Sequence, residues 1–342
     1  MRIQNLLSRL PEKAVIMLSD PADMRYYASF SGEGYVLLSE SIRRIYTDGR
    51  YTENAQREAP SFEICDIRGF WKEVKHLNCP LFFQEAHLVH KTYLGAKKLE
   101  IELMPSDIPF AELRSVKEEA EVEALRQAAS IAEKAYQETL NFIRPGQSEQ
   151  EIAAYLNYKM ACFGAEKPSF DTICISGKNT SLPHGVPTAK TVQEGEFLTM
   201  DFGAVYNGYC SDMTRTVAVG YLSDEMEWVY DIVLRAQDTL ERTVKPGMTA
   251  GEADEIARKI IVDAEYGQYF VHSTGHGVGL EIHEFPNLAP NRDTVLKANQ
   301  VVTIEPGIYL PEKFGVRIEN TVVLRDNGCD SLQKSDKELI IL

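Results

Sequence analysis

The chain has 342 residues, of which 44% are hydrophobic, so it is long enough for two domains with ample cores. Its formal net charge of −15 argues against nucleic acid as a partner. No stretch is apolar over the length of a membrane span, and the N-terminus lacks the apolar region of a signal peptide. We therefore expect a cytoplasmic protein that does not bind membranes. The six scattered cysteines favour free thiols over a disulfide framework.

Residues 1–112 have the pattern of a small α/β domain. Short apolar segments at 14–18, 34–38 and 44–48 are typical of buried strands, and a polar segment of helical character follows the last of them. Strands that alternate with helices indicate an α/β layer. The two prolines within 104–109 suggest a linker to the rest of the chain.

Residues 113–342 contain two copies of one helical pattern. Capping boxes at 115–118 and 148–151 predict two helices in the first copy, separated by a Pro-Gly pair. The Pro-Gly pair returns 101 residues later, followed by another capping box at 249–252. Because β-rich segments follow both copies, we predict two related α+β halves, and a ligand site in the crevice between them.

A hairpin in the first half brings two aspartates to one face. The Asn-Gly pair at 207–208 is a strong signal for a two-residue turn. Such a turn pairs Gly203 with Asp212 and places Asp201 two residues away on the same face. Diagonal neighbours of this kind are about 7–8 Å apart, so both carboxylates can reach one ion cluster. As plain strand acids they would be buried without partners in an apolar hairpin, which is costly.

The second half has a matching arrangement of acids. Two apolar strands flank a turn centred near Glu312, which places Glu305 opposite Glu319. Arg317 shares their face because side chains alternate along a strand.

A glycine-rich segment at 272–284 carries three of the seven histidines: His272, His276 and His283. Glycines let the backbone approach a ligand, and neutral imidazole binds metals or transfers protons near neutral pH. A lone histidine in such a loop would more often be only hydrogen-bonded, but three histidines together with the acids favour a site. Four carboxylates and one imidazole suit two divalent ions, and Mn²⁺ or a similar ion better than a thiolate-bound zinc.

At these residues the chain closely resembles the "pita-bread" metallopeptidases of family M24, specifically the Xaa-Pro aminopeptidases and Xaa-Pro dipeptidases (prolidases). The family signature His-x-x-Gly-His-x-φ-Gly-φ-x-φ-His-Glu, where φ is apolar, is complete over 272–284. The resemblance implies five ligands to two metal ions: Asp201, Asp212, His276, Glu305 and Glu319. It implies further functional residues that are not ligands: His184, His272, His283 and Arg317.

The resemblance extends over nearly the whole chain. Residues 26–32 and 47–52 are similar to the creatinase-type N-terminal domain. It therefore implies a creatinase-like domain over 1–112 and a pita-bread catalytic domain with internal pseudo-twofold symmetry over 113–342. It also implies a homodimer in which the N-terminal domain of one subunit helps to wall the site of the other.

The implied reaction is hydrolysis of the bond between an N-terminal residue and proline in a peptide. Two divalent ions, Mn²⁺ in first place with Co²⁺ or Zn²⁺ as alternatives, acidify a water and polarise the scissile carbonyl. Glu305 is expected to accept the proton of that water. His184 and His283 are expected to stabilise the tetrahedral species and the leaving amine, and His272 to line the proline pocket.

Several relatives of this family are alternatives. Methionine aminopeptidase shares the ligands but does not usually have the N-terminal domain. Creatinase lacks the ligands, and non-catalytic homologues have typically lost some of them.

A prolidase must hold the substrate's C-terminal carboxylate, and prolidases tend to carry an arginine just after the His-Glu-x-Pro segment. Here that position is Asn287, and Arg292 follows five residues later. We therefore favour an aminopeptidase, with a prolidase as the alternative.

Overall fold

A computed structural model describes residues 2–77 and 79–342. The chain forms two compact units, Met1–Phe110 and Ala111–Leu342, which we call the N-terminal and C-terminal units. Among the described residues, no helix combines the length and apolar character that crossing a bilayer requires.

The N-terminal unit is built on a mixed six-stranded sheet. Its strands are β1 (Val15–Leu18), β2 (Tyr35–Leu38), β3 (Arg43–Thr47), β4 (Glu63–Asp66), β5 (Leu81–Phe83) and β6 (Leu103–Pro105). Their order in the sheet is β4-β3-β2-β1-β5-β6, and only the β1–β2 and β2–β3 pairs are antiparallel. Its helices are α1 (Arg2–Leu7), α2 (Pro21–Ala28), α3 (Thr52–Glu58), α4 (Phe70–Val74) and α5 (His90–Lys98).

The three strands expected from apolar segments are confirmed as β1, β2 and β3. The expected linker at 104–109 is wrong in part, because its first two residues belong to the edge strand β6. That strand pairs with β5 through register partners such as Leu81 and Leu103, which are 22 residues apart in the sequence, and local composition does not reveal such a pairing.

The helices of the C-terminal unit come mainly as two long-short pairs. They are α6 (Phe110–Ser115), α7 (Glu119–Phe142), α8 (Glu149–Cys162), α9 (Asp224–Thr243) and α10 (Ala250–Asp263). The capping boxes that open α8 and α10 are present as predicted. The box predicted at 115–118 is wrong: Glu118 itself caps α7, in a box with Glu121, while Ser115 ends the preceding short helix.

A sheet system follows each helix pair. After α8 come β7 (Ile173–Ser176), β8 (Glu196–Phe202), β9 (Val205–Tyr206), β10 (Tyr209–Cys210) and β11 (Met213–Val219). After α10 come β12 (Gly275–Gly277), β13 (Glu284–Leu288), β14 (Val301–Ile304), β15 (Gly307–Leu310), β16 (Phe314–Arg317), β17 (Asn320–Arg325) and β18 (Gly328–Ser331). The larger sheets have the orders β11-β8-β7 and β13-β12-β14-β17-β18.

Each helix pair packs on its own apolar core. Buried residues of α7 and α8, such as Tyr136 and Leu156, pack with Met200 and Phe202 of β8. Buried residues of α9 and α10 form a second cluster with β14, β16 and β17. We call residues 119–219 the first half and residues 224–331 the second half of this unit.

Candidate active site

The two aspartates lie where the first-half hairpin predicts them. The pairs Tyr206–Tyr209 and Asp201–Thr214 confirm the register set by the 207–208 turn. Asp201 is in β8, and Asp212 lies immediately before β11. The antiparallel ribbon therefore presents both carboxylates to the same side.

The two glutamates lie directly beside second-half strands: Glu305 follows β14, and Glu319 precedes β17. Ile304 pairs with Asn320 and Gly307 pairs with Arg317, so Glu305 stands opposite Glu319 as expected. Thr214 of the first half donates a hydrogen bond of 2.7 Å from its hydroxyl to Glu319. This buried contact couples the acids of the two halves.

His276, in the middle of β12, faces these acids. Its Nε2 lies 3.5 Å from Asp212 Oδ2 and 3.4 Å from Glu305 Oε1. Its Nδ1 lies 2.9 Å from the carbonyl oxygen of Gly277, which assigns the proton to Nδ1 and leaves a lone pair on Nε2. One ligand atom each from His276, Asp212 and Glu319 lie within 4.8 Å of one another. Three electron-pair donors that converge in this way suit a cation.

The electrostatics of the cluster also fit divalent ions. Asp201 Oδ1 and Glu319 Oε1 are buried and have no hydrogen-bond partner within the described chain. Burial and repulsion by neighbouring carboxylates raise the pKa of Asp212 and Glu319 well above the usual range. Burial raises the pKa of Glu305 to about 7, although Arg317 opposes that rise. Buried carboxylates held this close need positive charge to stay ionised, and metal ions supply it.

Arg317 connects the acids to a tyrosine and a histidine. Its guanidinium donates to Asp201 Oδ2, to Thr214 Oγ1 at 3.0 Å and to the Tyr309 hydroxyl at 2.8 Å. The Tyr309 hydroxyl lies 2.9 Å from His272 Nε2, while His272 Nδ1 lies 2.7 Å from the carbonyl oxygen of Ser273. Burial lowers the pKa of His272 to about 4, so this imidazole is neutral.

The other two histidines lie on the wall of the same cavity. His283 packs edge-on against His276, with 4.5 Å between ring centroids, and burial lowers its pKa. His184 lies on an exposed segment after a 3₁₀ turn. The cavity has a volume of about 720 Å³, within the range of small-ligand sites. The nine residues expected at the site all line it: Asp201, Asp212, His276, Glu305, Glu319, His184, His272, His283 and Arg317.

Several supporting residues were missed from sequence. Tyr309 joins Arg317 to His272, and the buried Lys117 donates a 2.7 Å hydrogen bond to Glu284, next to His283. Asp254 of α10 accepts from the amide and hydroxyl of Thr274, two residues before His276. The strand alternation that groups Arg317 with the glutamates also groups Tyr309, but the other partners meet only through tertiary packing.

Comparison with known proteins gives a consistent assignment. The model of "Metallopeptidase family M24" matches residues 123–326. The chain is 38% identical to an Xaa-Pro dipeptidase of Pyrococcus furiosus, with 99% of each chain covered. It is 40% identical to an uncharacterised peptidase of Bacillus subtilis, covering 100% of this chain and 99% of that relative.

Solved structures support the same relationship. An Xaa-Pro dipeptidase from Bacillus anthracis has a TM-score of 0.96 and 43% identity, covering 100% of this chain and 99% of that chain. An X-Pro aminopeptidase from Thermotoga maritima has a TM-score of 0.92 and 37% identity, with 100% of both chains covered.

Proposed function

The chain belongs to metallopeptidase family M24, and on that premise we propose that it hydrolyses the bond between an N-terminal residue and a following proline. The observation that carries the proposal is the convergence of four carboxylates and the unprotonated Nε2 of His276 on one wall of a peptide-sized cavity. Proteins named as Xaa-Pro peptidases align with 99–100% of this chain.

We assign the metal ligands as Asp201, Asp212, His276, Glu305 and Glu319. The family implies divalent metal ions, and we propose two per subunit, Mn²⁺ in first place with Co²⁺ or Zn²⁺ as alternatives, because oxygen donors dominate the set. When bound, such ions acidify a water and polarise a carbonyl. The buried carboxylate oxygens of Asp201 and Glu319 that lack protein partners support this assignment.

The remaining chemistry belongs to side chains of this chain. Glu305 is the proton acceptor, because its carboxylate faces the cavity beside His276 Nε2. His184 and His283 are the hydrogen-bond donors to the tetrahedral species and to the leaving amine. His272, neutral and fixed by Tyr309, lines the pocket for proline. Arg317 keeps the Asp201 carboxylate oriented by a direct ion pair.

We favour an aminopeptidase over a dipeptidase because the cavity wall lacks the expected carboxylate clamp. Asn287 pairs directly with His276 across β12 and β13 and lines the cavity with an uncharged amide. Arg292, the alternative clamp, is exposed, and its carbonyl accepts from the Gly251 amide at the start of α10. It is not among the cavity-lining residues of the described chain. A site without a bidentate arginine leaves room for peptide beyond proline.

Substrate length tests this choice. With Mn²⁺ present, kcat/KM for Leu-Pro-Gly should exceed that for Leu-Pro, and Leu-Ala-Gly should react far more slowly. Asn287→Arg adds the missing clamp and should shift the ratio toward the dipeptide. A wild-type preference for Leu-Pro would establish a dipeptidase instead, and no turnover of either proline peptide would refute the proposed activity.

We also propose a domain organisation and an assembly on the strength of the family relationship. Residues 1–112 are the creatinase-like N-terminal domain, and 113–342 the pita-bread catalytic domain with internal pseudo-twofold symmetry. The repeated order of helix pair, capping box and sheet supports the symmetry. A homodimer and a cytoplasmic location stay predictions, to be checked by light scattering and by cell fractionation.

A further inference from the structure

Glu149 is a fully buried carboxylate that lies outside the catalytic cluster. It is the first residue of α8 and is 0% exposed. Its Oε1 accepts from the Ser176 amide at 2.7 Å, the Ser176 hydroxyl at 3.0 Å and the Asn179 side chain at 3.0 Å. Its Oε2 accepts from the Thr188 amide at 2.9 Å and the Thr188 hydroxyl at 2.7 Å. Five donors thus share one carboxylate.

These donors lie at the two ends of the segment that carries His184. Residues 182–187 have no regular secondary structure apart from a turn. Within the segment, Pro183 accepts a 3.2 Å hydrogen bond from Arg317 through its carbonyl oxygen. His184 itself makes no hydrogen bond to the described part of the chain, so its position depends on how the backbone around it is held. Glu149 holds that backbone on both sides.

A buried anion is well suited to this task. Hydrogen bonds to a charged acceptor are shorter and stronger than those between neutral groups. The N-terminus of α8 adds a favourable dipole for a carboxylate at its first residue. Fixing both ends of a short irregular segment to one rigid group also removes most of the freedom that segment would have.

We propose that Glu149 is a positioning residue for His184: it fastens both ends of the 176–188 segment and thereby sets the imidazole at its working distance from the substrate. The proposal rests on the proposed peptidase function and adds a residue that contacts neither metal nor substrate. A misplacement of about 1 Å in a catalytic group can cost about a hundredfold in rate, so loosening the segment should be visible in kcat.

Glu149→Gln is the direct test. Each carboxylate oxygen faces a backbone amide, Ser176 on one side and Thr188 on the other. Either orientation of the new side-chain amide therefore places its NH₂ group against an N–H donor. We expect kcat for Leu-Pro-Gly to fall by about 10- to 100-fold, with KM and the measured metal content close to wild type.

Ile152→Val is the matched control for loss of stability. Ile152 is in the same helix and 0% exposed, and its shortening should lower the melting temperature by leaving a small cavity. If kcat falls equally in both variants when their melting temperatures match, Glu149 has only a structural role. Should Glu149→Gln fail to fold, Thr188→Val removes one hydroxyl donor and should lower kcat in the same direction by a smaller factor.

A double-mutant cycle with His184→Ala separates positioning from general support. If Glu149 acts through His184, Glu149→Gln should cost less than about twofold once the imidazole is absent, because coupled residues are not additive. The same fold loss in both backgrounds would overturn the proposal. A wild-type enzyme that leaves Xaa-Pro peptides uncut would instead refute the proposed function, so the two failures are distinguishable.

Discussion

The two halves of the C-terminal unit fasten their active-site segments in different ways. In the first half, the carboxylate of Glu149 accepts, among the described residues, only neutral donors and ties the ends of an irregular loop. In the second half, Asp254 forms an ion pair with Arg258 in addition to its bonds with Thr274. Arg258 in turn donates to the carbonyl oxygens of Phe270 and His272 at 3.1 and 2.8 Å.

The two anchors differ because the segments that they hold differ in secondary structure. The second-half segment, residues 270–274, leads directly into β12, and the Asp254–Arg258 ion pair supports its approach to the sheet. The first-half segment stays irregular on both sides of His184, and both of its ends need an anchor. The proposed metal ligands themselves lie on or next to strands in both halves. We infer that substitution of Glu149 in α8 or Asp254 in α10 displaces the proposed ligands less than it displaces the histidines that are not ligands.

The largest effect should come from the ligands, equally in both halves. Asp212→Asn and Glu305→Gln keep the shape of the side chain but weaken metal binding, and the second also removes the proton acceptor. We expect turnover of Leu-Pro-Gly to fall at least about a thousandfold in each variant. The melting temperature of each variant without metal should stay close to that of the metal-free wild-type protein. Dialysis against a chelator should abolish activity, and Mn²⁺ should restore it. Near-normal turnover by metal-loaded Glu305→Gln would contradict the assigned role.

The histidines that are not ligands should give the next largest effect. His184→Ala from the first half and His283→Ala from the second should each lose about 10²–10⁴-fold in kcat as proton donors or acceptors, while metal content stays at the wild-type value. Metal analysis of the purified variants beside steady-state kinetics checks both points. Loss of metal from either variant would show that the histidine supports the ligands instead.

Much of this site was predictable from local sequence, because strand registers depend on neighbours close in the chain. The Asn-Gly turn determines the Asp201–Asp212 ribbon, and strand alternation groups Arg317 with the glutamates. The anchors were not predictable in this way. Glu149 looks like an ordinary acid in the first turn of a helix, and its partners lie 27 to 39 residues ahead.

The errors in the fold have the same physical origin. Strand β6 is defined by pairing with β5 rather than by its own residues, two of which form a Met-Pro sequence typical of a loop. Ser115 lost the expected capping role because its hydroxyl bonds to the carbonyl of Glu112 and accepts from Gln300, leaving Glu118 to cap α7.

Stability should respond more than rate when the second-half anchor is broken. Asp254 is 1% exposed, and Asp254→Asn leaves Arg258 partly buried without its counter-charge. We expect the free energy of unfolding in urea to fall by on the order of 3 kcal/mol. Asp263→Asn is the matched control, because its ion pair with Lys259 on the same helix is exposed and screened by solvent. Equal losses in the two variants would show that the Asp254 anchor adds nothing.

The smallest effect concerns charge on the cavity wall, where the halves also differ. The first half contributes Asp171, an exposed acid with no hydrogen bond or ion pair to the described residues, whereas the second half contributes the uncharged Asn287. A solvent-exposed pair with a cationic Xaa side chain is worth about 0.2–1 kcal/mol. Asp171→Asn should therefore lower the ratio of kcat/KM for Lys-Pro-Gly to kcat/KM for norleucyl-Pro-Gly by about 1.4- to 5-fold. Added salt should also lower this ratio for the wild-type protein, because it screens the charges. Asp326→Asn, an exposed acid outside the cavity, is the control. An unchanged ratio in Asp171→Asn would mean that the Xaa side chain points away from this wall.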